Sequence, residues 1–270
     1  MSQSNTSTAP TAELRVALVQ CNIYDLDVAA NLRKLEEQLG SLVGQCDLVV
    51  FPEAITTGFS ADATGYAEDW QTGSLVERLE DLSIRYGLAL AGSAFVLDEG
   101  TAVNRFFLVD GHDVQYQDKR HLFSLGGEPD MVRPSRERKL LLFRGWRIMP
   151  LVCYDLRFPV WTRCRHNDYD LIICVANWPR GRREVWSTLL RARAMENLAY
   201  VIGVNRVGRD ATGLEYLGDS VLVNPRGEVL SACAVGEESV VVGTMDYAPL
   251  ASLRAKFPVW QDADDFELKA

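Results

Sequence analysis

The stretch Asp47-Leu-Val-Val-Phe-Pro-Glu53 decides the fold class, because an apolar run is stopped there by a proline and a carboxylate. A short apolar run bounded in this way is typical of a strand buried on both faces. Helical patterns flank it: apolar residues recur every three to four positions over residues 27–42 and 75–86, and Asp27 is placed to cap the first. Helix, buried strand and helix in this order predict a layered α/β protein.

The same alternation extends in both directions from this stretch. It predicts strands over residues 14–20, 171–176 and 200–205, an antiparallel meander over 88–116, a hairpin over 139–152, helices over 159–165 and 183–198, and three short strands over 219–245. No linker divides residues 14–250, which we expect to form one domain after a flexible lead-in of residues 1–13. The tail, residues 251–270, contains three large aromatic residues and is expected to pack on the domain or on a partner subunit.

Composition excludes several classes of protein. The chain of 270 residues carries a net charge of −9, and its two basic clusters, residues 133–139 and 180–183, are short, so we expect no nucleic-acid partner. Its 6 cysteines form no CxxC pair, which favours a reducing compartment. The N-terminal residues have no basic and apolar signal pattern, and no apolar run is long enough to cross a membrane. We therefore expect a soluble, cytoplasmic protein without a membrane partner.

Three residues that could carry chemistry follow strand-like runs: Glu53, Lys119 and Cys153. Sites assemble at strand ends in α/β sheets because several loops converge there on a rigid platform. A thiol needs a base to become a nucleophile, and a developing oxyanion needs donors. The trio is therefore sufficient for acyl transfer, with Glu53 moving the thiol proton and Lys119 supporting the oxyanion.

Each of the three also has a simpler interpretation, since Glu53 could cap a loop, Lys119 could be solvated and Cys153 could be a core thiol. A Cys/His pair is the main chemical alternative. Of the 3 histidines, His121 is the serious rival base, because His112 and His166 lie in polar turns or helix ends. Neither HExxH nor paired CxxC motifs are present, so no metal is expected. Acyl transfer by a thiol requires no organic cofactor, and none is expected.

Three motifs resemble signatures of a known family. Phe51-Pro-Glu-Ala, Asp118-Lys-Arg-His-Leu-Phe123 and Val152-Cys-Tyr-Asp-Leu-Arg-Phe-Pro159 are similar, in order and separation, to those of the nitrilase (carbon–nitrogen hydrolase) superfamily. With Val175-Ala-Asn-Trp-Pro179 and the segment 256–264, the chain most resembles the bacterial omega-amidases, which release ammonia from 2-oxoglutaramate and 2-oxosuccinamate.

The resemblance covers about residues 14–250 and implies an α/β fold, a four-layer αββα sandwich, that usually forms a homodimer. It implies Cys153 as nucleophile, Glu53 as base and then acid, and Lys119 as oxyanion donor. The superfamily often adds a second glutamate, for which Glu128 has the best spacing although its flanking sequence matches poorly.

Substrate contacts are predicted around the nucleophile and after a strand. The backbone amide of Tyr154 would support the oxyanion. In the loop 177–183, Asn177 approaches the pocket, Trp178 would form an apolar wall, and Arg182 or a neighbouring arginine would bind a substrate carboxylate. These arginines could equally decorate a helix start.

Asp155 and Arg157 are expected to form an ion pair that shapes the turn after the nucleophile. Two other functions remain open: a different carbon–nitrogen hydrolase, such as a nitrilase or a carbamoyl-cleaving enzyme acting on another small molecule, and a non-catalytic binding protein on the same fold.

Overall fold

The computed structural model describes residues 9–268 of the chain. Its strands are β1 (Glu13–Gln20), β2 (Leu48–Val50), β3 (Glu68–Asp69), β4 (Ala89–Asp98), β5 (Thr101–Asp110), β6 (Asp113–Asp118), β7 (Leu141–Phe143), β8 (Trp146–Val152), β9 (Leu171–Ala176), β10 (Tyr200–Asn205), β11 (Val207–Arg209), β12 (Glu215–Leu217), β13 (Val221–Val223), β14 (Val229–Ala232) and β15 (Ser239–Asp246). Its helices are α1 (Val28–Leu42), α2 (Ser74–Tyr86), α3 (Pro159–Thr162), α4 (Arg183–Asn197) and α5 (Tyr247–Lys256).

Two β-sheets, each with a row of six strands in a similar arrangement, form the centre of the molecule. The first sheet has the order β15-β1-β2-β4-β5-β6, with β3 beside β4, and the second has the order β14-β13-β10-β9-β8-β7. In each, three central strands are parallel (β1, β2 and β4; β10, β9 and β8) and the outer strands are antiparallel. Parallel strands need covering on both faces, which explains why their sequences are continuous apolar runs.

Alternate residues of these strands fill different layers. In β9, Ile173 and Val175 pack between the two sheets, whereas Ile172 and Cys174 face the helical layer. The helices α1 and α2 cover the first sheet through an apolar cluster of their own. The result is a four-layer αββα sandwich, which confirms the expected fold.

Close approach of α4 to its sheet depends on one glycine. A Cβ on Gly203 of β10 would lie 2.5 Å from a methyl carbon of Leu190 and 2.9 Å from the Trp186 ring. These α4 side chains are completely buried, so they cannot move away into solvent. Glycine at this position lets helix and sheet pack at interior density.

Local signals placed most elements correctly. Asp27 caps α1 by accepting a hydrogen bond from the Ala30 amide, as predicted. The helix predicted over residues 159–165 is too long, because α3 ends at Thr162 and the backbone of Arg163 is extended. The hairpin β11–β12 was not predicted, since each of its strands has only three residues.

Both ends of the described chain contact the domain. Of the predicted lead-in, residues 1–8 lie outside the described residues, and Thr11 donates to the Arg144 carbonyl at 3.0 Å. At the other end α5 runs across the predicted boundary at residue 250, and Arg254 donates to Asp170 at 2.8 Å. The fold therefore extends beyond residues 14–250 in both directions.

Among the described residues, no helix combines the length and the apolar character needed to span a bilayer.

Candidate active site

The ends of strands from both sheets meet at one edge of the sandwich. Glu53 follows β2 and Lys119 follows β6, and their side chains are almost completely buried. The Lys119 ammonium donates to Glu53 Oε1 at 3.0 Å and to Glu128 Oε1 at 2.8 Å. The structure thus brings together the first two predicted residues and the candidate second glutamate.

Two asparagines hold the Glu53 carboxylate. Asn104 Nδ2 donates to Glu53 Oε1 at 3.0 Å and to Glu128 Oε1 at 3.3 Å, while the Asn177 backbone amide donates to Glu53 Oε2 at 2.8 Å. Asn177 Nδ2 also donates to the Glu53 carbonyl at 2.8 Å and makes a longer contact of 3.4 Å to Oε2. A carboxylate held by this many donors has a fixed orientation, as a catalytic base requires.

Glu128 lies on the loop after Lys119, in a short 3-10 helix, and is completely buried. Its second oxygen, Oε2, accepts from the Phe123 backbone amide at 2.7 Å. Both of its oxygens therefore have partners, and the loop of residues 119–128 is closed on itself by its own glutamate.

Charge compensation fixes the protonation of the cation. Burial alone would lower the pKa of Lys119, but the charges of Glu53 and Glu128 outweigh it and raise that pKa above its ordinary value. The pKa of Glu128 is also raised, first by burial. The charge of Lys119 lowers this pKa, but the charge of Glu53 opposes that effect. Lys119 is consequently an ammonium at neutral pH and can act as a donor, not as a base.

Cys153 follows β8 directly and is held in a left-handed backbone conformation, with φ +48°. A residue with a Cβ pays about 1–3 kcal/mol for such a conformation, so the surrounding contacts must impose it. One of them is the carboxylate of Asp155, which accepts from the Val152 amide at 3.1 Å. The Cys153 Sγ points to the Asn177 carbonyl at 3.9 Å.

The environment of Cys153 favours the neutral thiol. Burial, and then the charge of Glu53, raise the pKa of Cys153 well above its ordinary value against the opposing charge of Lys119. A thiol whose pKa is raised in this way needs a base at the moment of attack.

Asp155 contacts His121, the rival base, and does not form the predicted ion pair with Arg157. Its Oδ1 accepts from the His121 backbone amide at 2.8 Å and lies 2.8 Å from His121 Nδ1. The ring of His121 also stacks on Phe158, so contacts with Asp155 and Phe158 hold it in place. The expected pair between Asp155 and Arg157 is wrong, because the Arg157 guanidinium lies over the Trp178 ring at 5.1 Å.

The predicted substrate residues have different surroundings. Tyr154 is partly exposed and its ring contacts those of Phe123 and Phe158. Asn177 is turned to Glu53, as described above. Trp178 is 4% exposed, packs in the helical layer and donates from Nε1 to the Arg182 carbonyl at 2.8 Å, so little of its ring is left to form a pocket wall.

Among the three arginines of the loop, Arg182 differs from its neighbours. Arg180 is paired with Glu215 and Arg183 with Asp219, whereas Arg182 makes no ion pair with a described residue. Its guanidinium instead lies 5.0 Å from the centre of the Phe123 ring.

Asn104 is the residue that sequence reasoning missed. It is a polar side chain in the apolar text of β5, completely buried, and this irregularity was the available signal. Both Asn104 and Asn177 leave a buried Oδ1 without a hydrogen-bond partner among the described residues.

No group of three histidine, cysteine or acidic side chains within residues 9–268 is arranged to hold a metal ion.

Comparison with known proteins identifies the family. Residues 15–255 match the family model described as carbon-nitrogen hydrolase. The chain is 43% identical to omega-amidase YafV of Escherichia coli K12 over 94% of this chain and 98% of that one, and 29% identical to the 2-oxoglutaramate amidase of Bacillus subtilis over 90% and 96%.

A solved structure gives the same result. XC1258 from Xanthomonas campestris, described as a CN-hydrolase superfamily protein with an arsenic adduct in the active site, is 42% identical and has a TM-score of 0.92, covering 96% of this chain and 100% of that one. The chain therefore belongs to the carbon–nitrogen hydrolase (nitrilase) superfamily, as an enzyme similar to the omega-amidases.

Proposed function

We propose that the chain is a thiol amidohydrolase that releases ammonia from the terminal amide of short 2-oxo dicarboxylate monoamides, with 2-oxoglutaramate and 2-oxosuccinamate as substrates. The observation that carries this proposal is the position of Asn177, whose carbonyl faces the Cys153 thiol while its amide donates to Glu53. Asn177 therefore contacts both the proposed nucleophile and the proposed base.

Glu53 is the base that fits this geometry. Its Oε1 accepts from Asn104 and Lys119, but on Oε2 one of the two contacts is only a long one of 3.4 Å. Oε2 also accepts from the Asn177 amide at 2.8 Å, and it can take up the thiol proton by giving up only the long contact. Active-site hydrogen bonds of this kind commonly tighten only when the substrate is bound.

Lys119 has the donors needed for the oxyanion. An ammonium has three N–H groups, and two are directed to Glu53 and Glu128. The third remains for the substrate oxygen, beside the Tyr154 backbone amide. Because the ammonium is fixed and desolvated, it stabilises developing charge without reorganisation, which is the largest contribution that such sites make to the rate.

The reaction then proceeds in two halves. Glu53 takes the proton of Cys153, the sulfur attacks the amide carbon, and the carbonyl electrons move to the oxygen held by Lys119. The C–N bond breaks as Glu53 returns the proton to nitrogen. Ammonia departs, and the acyl group remains on Cys153 as a thioester. Water, deprotonated by Glu53, attacks this thioester, and Cys153 leaves as a thiol with the proton from Glu53, giving the free acid.

Arg182 is the proposed partner of the substrate's distal carboxylate. It is free of ion pairs with described residues, and it lies against Phe123, whose ring contacts Tyr154 next to the nucleophile. A guanidinium binds a carboxylate through two parallel hydrogen bonds, which fixes the substrate's length as well as its charge. The names of the relatives, an omega-amidase and a 2-oxoglutaramate amidase, support the same class of substrate.

The test is ammonia release from both 2-oxo amides by the wild type, by Cys153→Ala and by Cys46→Ala, which removes a buried thiol elsewhere in the chain. We expect activity in the wild type and in Cys46→Ala, and none in Cys153→Ala. Activity confined to nitriles or carbamoyl compounds would contradict the proposed substrate, and activity that survives in Cys153→Ala would contradict the thiol mechanism.

The homodimer and the cytoplasmic location stay predictions. Size-exclusion chromatography with light scattering tests the first, and cell fractionation tests the second.

A further inference from the structure

We propose that a cavity next to the active site binds a small carboxylate with an apolar body, and that its occupancy changes turnover. This cavity, which we call the His121 pocket, has a volume of about 250 Å³ and is lined by Arg120, His121, Arg136, Phe158, Trp161 and Leu268 with their neighbours. The proposal that the pocket binds a ligand rests on the pocket alone, whereas the proposed effect on turnover also rests on the proposed function.

The charge of the His121 pocket favours an anion. Neither Arg120 nor Arg136 forms an ion pair with a described residue, and the only side-chain hydrogen bond of Arg120 to that part of the chain goes to the Ser135 carbonyl at 2.7 Å. The described residues that line the pocket include no aspartate or glutamate. In a protein with a net charge of −9, this cavity is lined by two guanidinium groups that form no ion pair with a described residue. They suit a carboxylate, which a guanidinium binds in two places.

The remaining walls favour an apolar body on that anion. The ring of His121 stacks on Phe158 with 3.7 Å between centroids and an interplanar angle of 6°, and Trp161 is buried beneath the Arg120 guanidinium at 5.8 Å. Leu268 closes another side. Pockets for drug-sized ligands measure roughly 300–1,000 Å³, so this one suits a smaller ligand of the size of benzoate.

Two hydrogen-bonded steps connect the pocket to the nucleophile. His121 holds Asp155 Oδ1 through its backbone amide and is in contact with it through Nδ1, and Asp155 Oδ2 accepts from the Val152 amide directly before Cys153. His121 is also two residues from Lys119. A ligand that shifts the His121 ring therefore acts on the strained turn that presents the thiol, without occupying the substrate's place. We expect it to change kcat and leave KM unaltered.

Binding is tested first, by calorimetry with three probes: benzoate, inorganic phosphate as an anion without an apolar body, and benzyl alcohol as an apolar body without the charge. Benzoate should bind with one site per chain, and the other two probes should not. Arg136→Gln should weaken benzoate at least tenfold, and Arg226→Gln, which removes another exposed arginine without an ion pair among described residues, should leave it unchanged. Absence of benzoate binding to the wild type, or equal binding of phosphate, would overturn the proposal.

Turnover is measured next, with and without saturating benzoate. The expected result is a change in kcat for the wild type and for Arg226→Gln that Arg136→Gln does not show. A rise in KM alone would mean that benzoate occupies the substrate site, which overturns the inference. If benzoate binds but no amide is hydrolysed, the pocket stands and the proposed function fails, so the two are distinguishable.

Discussion

Replacing Lys119 by methionine tests the buried charge network most directly. Glu53, Glu128 and Lys119 are each no more than 1% exposed, and within residues 9–268 Lys119 is the cation that pairs with both carboxylates. Their formal charges sum to −1. In Lys119→Met the sum becomes −2, with the volume of the side chain nearly kept, so the loss of charge compensation is isolated from cavity formation.

The magnitude follows from the burial. Removing one partner of a buried ion pair costs about 3–5 kcal/mol because an uncompensated charge is left behind. We therefore expect the free energy of unfolding to fall by about this amount at pH 8. A second substitution, Glu128→Gln, returns the sum to −1, and the double variant should recover about 0.5–3 kcal/mol of the loss.

The loss should also depend on pH with a definite sign. Burial already raises the pKa of Glu128, and removal of the lowering charge of Lys119 raises it further in the folded state. The folded variant then holds a proton that the unfolded chain releases, so its stability falls as pH rises. The difference between wild type and Lys119→Met should thus be smaller at pH 5 than at pH 8.

Urea unfolding at both pH values, followed by tryptophan fluorescence, measures these differences. The matched control is Lys139→Met, since Lys139 is 45% exposed and its ion pair with Glu137 spans 3.6 Å. We expect less than about 1 kcal/mol from this surface pair. If Lys119→Met destabilises the protein no more than Lys139→Met does, the three buried groups do not form the charge network argued above.

Three further predictions concern single side chains. Glu53→Gln removes the charge that raises the pKa of Cys153, so the pH midpoint of its alkylation by iodoacetamide should move down while ammonia release is lost; an unchanged or higher midpoint would contradict the electrostatic argument. Asn104→Leu should lower the free energy of unfolding by about 1–3 kcal/mol, because buried acceptors lose their donor, and unaltered urea midpoints would show that these hydrogen bonds add nothing. Arg182→Gln should lower kcat/KM for 2-oxoglutaramate by about 10- to 150-fold, equivalent to about 1.5–3 kcal/mol, and an equal effect of Arg180→Gln would remove the case for a specific carboxylate contact.

The local patterns of the sequence were sufficient for most of the fold. Apolar runs ended by a proline or a polar residue predicted the strands, and the four leucines of α1, all buried in the structure, predicted a helix with its cap at Asp27. These signals are short in range, because they depend on the period of side chains along one element. They missed the strands β11 and β12, which are too short to show a period, placed the end of α3 too late, and did not predict α5.

The candidate site divides in the same way. The strand-end positions of Glu53, Lys119 and Cys153 were predictable, because each follows a strand-like run, and their catalytic roles stay predictions. Their environment was not predictable, since Asn104 and Glu53 are 51 positions apart and Asn177 and Glu53 are 124 apart. No periodicity within one element carries information about such pairs.

What the sequence determined by itself is most of the longer elements and the reactive residue types available at their ends. Only the tertiary structure decided which donors face Glu53 and that Asp155 contacts His121 and not Arg157. It also decided that Arg182 is, among the arginines of the loop 177–183, the one without an ion pair to a described residue. The physical reason is that these contacts depend on the register of strands within each sheet and on how two sheets stack. A strand such as β15, which pairs with β1 from the opposite end of the chain, fixes that arrangement through residues far apart in sequence.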